Sequence, residues 1–99
     1  MATPVDIHRL AIREAQRAER YYAKVGARVL ARFTAAFSDA IARIAANPGL
    51  RSPHLRGTRI RRLRRFPFQL VYVTEPTGVL VIAVAHGRRR PGYWRRRLP

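Results

Sequence analysis

The hydrophobic periodicity of the chain changes once, at Asn47-Pro48-Gly49, and this change limits the fold more than any other feature. Before it, apolar residues recur every three or four positions, first over 11–25 and then over 30–44, which predicts two amphipathic helices. Gly26 separates them, so we expect an antiparallel pair joined by a short turn. After the change, runs rich in β-branched and aromatic residues predict strands.

Three strands are predicted in the second half of the chain. The run from Ile60 to Phe66 carries several arginines, Phe68 to Val73 is aromatic and β-branched, and Val79 to Ala85 is almost wholly apolar. The segment 75–78 (Glu-Pro-Thr-Gly) has turn composition, so the last two strands should pair as a hairpin. A strand that is apolar on both faces needs cover on both sides, which places 79–85 at the centre of the sheet.

The remaining segments complete an α+β fold. Val5 and Ile7 alternate with polar neighbours, which indicates a short opening strand. The stretch from Leu50 to Thr58 is rich in Gly, Pro, Ser and charge and is interpreted as a loop. Because 99 residues suit one core, we predict a single domain over 1–99. Its N-terminal strand and antiparallel helical hairpin pack on a small, mainly antiparallel sheet of three to four strands.

Several classes of protein are not indicated. The chain has no cysteine, which excludes disulfides and thiolate metal sites and fits a reducing cytoplasm. His8 and His54 are too scattered to indicate a metal site, and no pattern indicates a cofactor or a small-molecule substrate. The first ten residues lack a secretion signal, and no stretch is apolar enough to span a membrane. We therefore expect a cytoplasmic protein without metal or cofactor.

The charge is large and unevenly distributed. Twenty-one basic and five acidic residues give a net charge of +16, and all but one of the basic residues are arginine. Residues 1–50 hold eight basic and four acidic side chains, whereas 51–99 hold thirteen and one. Guanidinium groups offer planar sets of donors to phosphates and carboxylates. The second half therefore predicts a surface for an acidic macromolecule, and a small arginine-rich nucleic-acid-binding protein would fit it.

Two groups of residues are candidates for that surface. In the first, seven basic residues stand between Arg51 and Arg65 without one acid, and neither face of the predicted strand is apolar, which indicates an edge strand or a bulge. The second is the basic tail, Gly87 to Pro99, in which we expect Trp94 to anchor the chain against the sheet. The candidate binding residues are Arg59, Arg61, Arg62, Arg64, Arg65, Arg88, Arg89 and Trp94.

In their order, the helical and strand segments resemble the RelE/ParE superfamily of type II toxins, also called plasmid-stabilisation toxins. The most specific part is 66–72 (Phe-Pro-Phe-Gln-Leu-Val-Tyr), followed by 82–86 (Ile-Ala-Val-Ala-His) and then by Arg89, Pro91, Tyr93 and Trp94. This C-terminal pattern is similar to the ParE-like branch. The resemblance implies a helical hairpin on a small twisted sheet, and a growth-inhibiting toxin that is neutralised by a cognate acidic antitoxin folding around it.

The resemblance leaves the target open between two branches. RelE-type members cleave mRNA on the ribosome, which requires a proton acceptor, a proton donor and cations around the transition state. For that alternative the candidate catalytic residues are Arg62, His86, Arg89 and Tyr93.

ParE-type members instead inhibit DNA gyrase by protein–protein contact and need no catalysis. Two central cations of the nuclease branch are replaced in this chain, because Gln69 and Gly87 stand at the matching positions. These replacements favour the ParE-like function, with the endoribonuclease as the alternative.

Overall fold

The computed structural model describes residues 3–50 and 53–99. Its elements are β1 (Val5–Ile7), α1 (Arg9–Val25), α2 (Ala27–Ala46), β2 (Arg59–Arg62), β3 (Phe68–Glu75) and β4 (Gly78–His86). One turn of 3-10 helix precedes β2 and another closes the tail. The predicted α+β fold is confirmed, including the short opening strand. Within the predicted loop, Arg51 and Ser52 lie outside the described residues.

The two helices bury side chains of different size. The buried residues of α1 are all small, namely Ala11, Ala15 and Ala18, so its backbone can lie close to β4. Its first turn is capped by His8, whose Nδ1 accepts a hydrogen bond of 3.0 Å from the Leu10 N–H. α2 contributes larger groups: its buried residues are Phe33, Ala40 and Ile44.

The sheet has four strands in the order β1-β4-β3-β2. β3 runs antiparallel to both β4 and β2, whereas β1 pairs parallel to β4, with Val5 opposite Val79. The parallel pair needs a long connection, and the helical hairpin, β2 and β3 together supply it. The predicted central position of the apolar strand is confirmed.

Each face of the sheet has its own apolar cluster. The helix-facing cluster includes Phe33, Tyr72, Val81 and Val84. Val81 and Val84 are three residues apart, and both face the helices because the pairing of β3 with β4 shifts register between Val71 and Tyr72. The outer cluster is built from Val71, Ile82, Ala83, Ala85 and Trp94, with Ile60, Val73, Leu80, Tyr93 and Leu98 packed against it.

The predicted strand from Ile60 to Phe66 is wrong in its second half, because β2 ends at Arg62. Leu63 is buried, and its N–H donates to the Phe68 carbonyl across the turn, at 2.9 Å. Arg65 adopts a left-handed φ of 69°. The reversal into β3 therefore spans residues 63–67, whereas the two predicted strands were separated by Pro67 alone. The predicted edge position of the strand is confirmed.

In the part of the chain that the structure describes, no helix has both the length and the apolar character needed to cross a membrane.

β1 and β4 approach each other closely at Gly78. The Val79 N–H donates to the Pro4 carbonyl oxygen at 2.9 Å. A Cβ atom on Gly78 would lie 2.5 Å from the same oxygen, and its φ of 153° is one that side chains rarely adopt. Only glycine therefore allows this contact without movement of the backbone.

Replacing Gly78 by alanine should lower the free energy of unfolding by about 2 kcal/mol or more, as at other strained backbone positions. Gly49→Ala is the matched control, because nothing lies within 4 Å of a Cβ built there. It should change stability by less than about 0.5 kcal/mol. Urea denaturation of the three proteins checks this expectation, and equal stabilities would mean that β1 does not meet β4 as described.

Candidate arginine-rich interface and C-terminal tail

The arginines of β2 divide between the two faces of the sheet. Arg59 and Arg61 pair in register with Tyr72 and Leu70, both members of the helix-facing cluster. Arg62 alternates to the outer face, where it is exposed. Because β2 is an edge strand, its arginines lie on both faces of the sheet at that edge.

Arg64 and Arg65 extend this surface into the turn after β2, where both are exposed. The turn is held down by Phe66, whose ring centroid lies 5.3 Å from that of Phe33 and 5.0 Å from that of Tyr22. A groove of about 630 Å³ separates the turn from α2. The groove is lined by Val29, Arg32, Ala35, Ala36, Asp39, Arg43, Arg64, Arg65 and Phe66.

This groove combines apolar walls with a basic rim. The acid in its lining, Asp39, is engaged by Arg43 at 2.9 Å. The remaining arginines of the rim therefore face solvent with no carboxylate of the lining left to neutralise them. A segment that carries both apolar and acidic side chains matches this surface chemically.

On the outer face, Arg62 shares a depression with Gln69 and Gly87. These two positions are the ones at which the nuclease branch is expected to carry cations. An amide and a bare backbone therefore stand at those two positions, although Arg65 also lines the depression.

The tail is attached through one carboxylate, that of Glu14 on α1. It accepts hydrogen bonds from the Val84 N–H (3.0 Å), the Tyr93 hydroxyl (2.6 Å) and the Arg97 guanidinium (2.8 and 3.2 Å). Arg97 also donates to the Ile82 carbonyl at 3.1 Å. The side chains of Glu14 and Arg97 are only 12 and 13% exposed. We name Glu14, Tyr93 and Arg97 the Glu14 clasp.

The clasp shifts the pKa of both of its acids. Burial alone would raise the pKa of Glu14, but the hydrogen bonds from Arg97, Tyr93 and the Val84 amide outweigh it and hold that pKa below its usual 4.5. Burial, and then the hydrogen bond to Glu14, raise the pKa of Tyr93 above its ordinary value. The phenol of Tyr93 therefore keeps its proton, which it shares with Glu14.

The aromatic residues of the tail lie at different depths. Trp94 is 3% exposed and packs in the outer cluster, so the expectation that it anchors the tail is confirmed. Its ring is turned inward and does not form part of the exposed arginine surface. Arg89 stacks over the ring of Tyr93, with its guanidinium carbon 3.9 Å from the ring centroid.

His86 ends β4 at a second groove, of about 470 Å³, between α1 and the ends of β3 and β4. Its Nδ1 accepts a hydrogen bond from the Arg88 N–H (3.1 Å), and its ring stands edge-on to Phe68 at 5.1 Å. Arg89 also lines this groove, whereas Arg62 lines the outer depression. The four candidate catalytic residues are thus not gathered in one cavity.

Among residues 3–50 and 53–99, no group of three or more His, Cys, Asp or Glu side chains is placed to hold a metal ion.

The central residues of the clasp, Glu14 and Arg97, were not among the residues selected from the sequence. A signal for Glu14 was present, because it is one of only five acids and lies beside the buried stripe of Ala11, Ala15 and Ala18. No sequence signal separates Arg97 from its neighbours Arg95 and Arg96. Its partner is 83 residues away along the chain.

Glu14→Gln should lower the free energy of unfolding by about 3 kcal/mol, because it leaves the partly buried guanidinium of Arg97 without its counter-charge. Asp39→Asn is the matched control. It breaks an ion pair whose side chains are 60 and 57% exposed, and should cost less than about 0.5 kcal/mol. Chemical denaturation at neutral pH measures both, and an equal, small effect of the two changes would contradict the clasp.

The same variant has a pH signature. Since the pKa of Glu14 is lower in the folded chain than its usual 4.5, its contribution is complete above that pH. It is lost as the pH falls through the folded pKa. The difference in stability between the native chain and Glu14→Gln should therefore be constant near neutrality and shrink below about pH 4.5.

Comparison with known proteins agrees with these features. Residues 5–91 match the family described as the ParE toxin of the type II toxin-antitoxin system parDE. No curated protein matches the chain significantly. The family match covers both helices and all four strands, and leaves residues 1–4 and 92–99 outside. The chain therefore belongs to the ParE family of toxins from type II toxin–antitoxin systems.

Proposed function

We propose that this toxin acts in the cytoplasm by binding DNA gyrase, without catalysing a reaction, and that a cognate acidic antitoxin neutralises it. The Glu14 clasp is the observation that supports the absence of catalysis. Tyr93 is a candidate catalytic residue by its resemblance to the nuclease branch, but its hydroxyl donates to Glu14 at 2.6 Å and its pKa is raised. A phenol held in this way is a poor proton donor to a leaving group.

The arrangement of the cations supports the same conclusion. Catalysis of RNA cleavage would need a cation and a proton carrier on either side of one phosphate. Arg62 lies in the depression with Gln69 and Gly87, whereas His86 borders the groove on the α1 side. Binding to a protein does not require a cation and a proton carrier to meet at one phosphate, so it is compatible with these separate positions.

A ribosome-dependent mRNA endoribonuclease is the alternative, and one observation favours it. His86 and Arg89 line the same groove, and Arg89 also stacks on Tyr93, so an imidazole and a guanidinium are close together. An experiment must therefore separate the two activities.

The purified chain should inhibit DNA supercoiling by gyrase and leave ribosome-bound mRNA intact. Tyr93→Phe should retain the inhibition, because the proposal gives this hydroxyl a structural role only. Under the endoribonuclease alternative, the same change would remove a proton donor and reduce cleavage by about 100-fold or more. Supercoiling and mRNA-cleavage assays, run on variants whose folding is checked by circular dichroism, measure both activities.

Arg62→Ala is the companion variant for this test. Cleavage of mRNA by the native chain that Tyr93→Phe and Arg62→Ala each abolish would reject the gyrase proposal. Inhibition of supercoiling that survives both changes would reject the nuclease.

The antitoxin proposal rests on charge and on the groove beside α2. Arg59, Arg61, Arg62, Arg64 and Arg65 surround the sheet edge at which this groove opens. Arg88 and Arg89 extend the basic surface at the end of β4. Acidic side chains flanking an apolar stripe would satisfy the rim and the walls of the groove together, which neither a purely acidic nor a purely apolar segment would do.

Reversing two charges at the rim, Arg64→Glu with Arg65→Glu, should weaken binding of the acidic partner encoded beside this gene by at least about tenfold, because it sets like charges against each other. The control is Arg13→Glu with Arg20→Glu, which makes the same charge change on the exposed side of α1. Binding of the partner is measured by isothermal calorimetry. Equal weakening by both pairs would show that net charge, rather than this groove, recruits the antitoxin.

A further inference from the structure

A row of five cations runs along the solvent side of α1, away from β2. All five are exposed, and the row consists of Arg9, Arg13, Arg17, Arg20 and Lys24. At 3.6 residues per turn they fall within an arc of about 80°, and with a rise of 1.5 Å per residue the row is about 22 Å long. The arc lies opposite the buried alanines of the helix. We name this row the α1 ridge.

Within the described part of the chain, no carboxylate neutralises the ridge: none of the five side chains makes an ion pair or a side-chain hydrogen bond. The two acids of α1 are placed elsewhere. Glu14 is engaged in the clasp, and Glu19 has no cation three or four residues away from it.

The spacing of the ridge works against the stability of the helix. Arg9 with Arg13, Arg13 with Arg17, and Arg20 with Lys24 are like charges four residues apart, and such pairs repel each other. A helix that only needed a solvated face would be more stable with acids at some of these positions. The row therefore has the character of a surface that is neutralised by something other than this chain.

The composition of the ridge identifies the class of partner. The centre of a protein–protein interface is depleted in charge, whereas the α1 ridge contains no apolar side chain within its arc. Unpaired cations are instead the groups that neutralise phosphates and release their counterions. The arc of the ridge itself contains no aromatic ring on which the bases of a single strand would stack, because the exposed ring of Tyr21 lies outside the arc and stands edge-on to Tyr22. A straight, rigid row of cations fits the backbone of a rigid double helix.

We propose that the α1 ridge binds the phosphate backbone of double-stranded DNA without regard to sequence. Along about 22 Å, each strand of a duplex carries on the order of six phosphates, so every cation of the ridge finds a partner. This surface is separate from the groove proposed for the antitoxin, and its DNA binding does not depend on gyrase being the target. It concentrates the toxin on DNA, where enzymes that act on DNA are found.

Arg13→Gln with Arg20→Gln tests the proposal at the middle of the ridge. Glutamine has nearly the helix propensity of arginine, so the fold should persist, as circular dichroism will show. Fluorescence anisotropy with a labelled mixed-sequence DNA duplex measures affinity over a range of salt concentrations. We expect affinity near physiological salt to fall by at least about tenfold, and the slope of log K against log salt to become less negative by about two.

Arg90→Gln with Arg96→Gln is the control, because it removes the same charge from exposed positions in the tail. It should leave duplex affinity within about twofold of the native chain. Equal losses from the two pairs would overturn the proposal, since net charge alone would then explain binding. No loss from the ridge pair would overturn it as well.

Two further binding measurements identify the class of partner. A labelled single-stranded RNA of the same length that bound more tightly than the duplex would overturn the assignment to double-stranded DNA. Weaker antitoxin binding by the ridge pair, with duplex binding unchanged, would make the ridge a protein interface. Inhibition of gyrase is scored separately, so failure of that activity and failure of duplex binding are distinguishable.

Discussion

The carboxylate of Glu14 opposes the repulsion within a chain whose net charge is +16. The tail carries six arginines, and these repel one another and the arginines around β2. Glu14 reverses this locally, because it draws Arg97 and Tyr93 onto α1 and also binds the Val84 amide in the central strand. Helix, sheet and tail therefore meet at one buried group. With the tail in place, Trp94 covers an outer face of the sheet that would otherwise expose Val71, Ile82 and Ala85.

The hydrogen bond from Tyr93 to Glu14 also bears on the role of Tyr93. A tyrosine at this position invites a catalytic assignment, and the family resemblance supplies one. Under the proposed function this tyrosine instead holds the tail, because its phenol donates to the partly buried carboxylate of Glu14 and its pKa is raised. A residue type retained at a matching position thus need not retain the reaction, and the proposed binding function agrees with this use of the side chain.

Much of the fold could be predicted from the sequence, because its signals are local. The alanine and phenylalanine stripes define the helices, and the apolar run of β4 fixes its central place. The end of β2 could not be predicted, because arginines occupy both faces and leave no alternation to mark where pairing stops. The clasp could not be predicted either. It joins residues 79 and 83 positions apart, and six similar arginines compete for the one carboxylate.

The placement of arginine on both faces of β2 has a consequence for self-association. An exposed edge strand is a template on which a second copy of the same chain can add a strand, and proteins often guard such edges with charge. Two copies meeting at β2 would bring Arg59, Arg61 and Arg62 against the same three guanidinium groups, with no acid in either strand to separate them. The like charges at this edge therefore disfavour pairing between two copies of the chain.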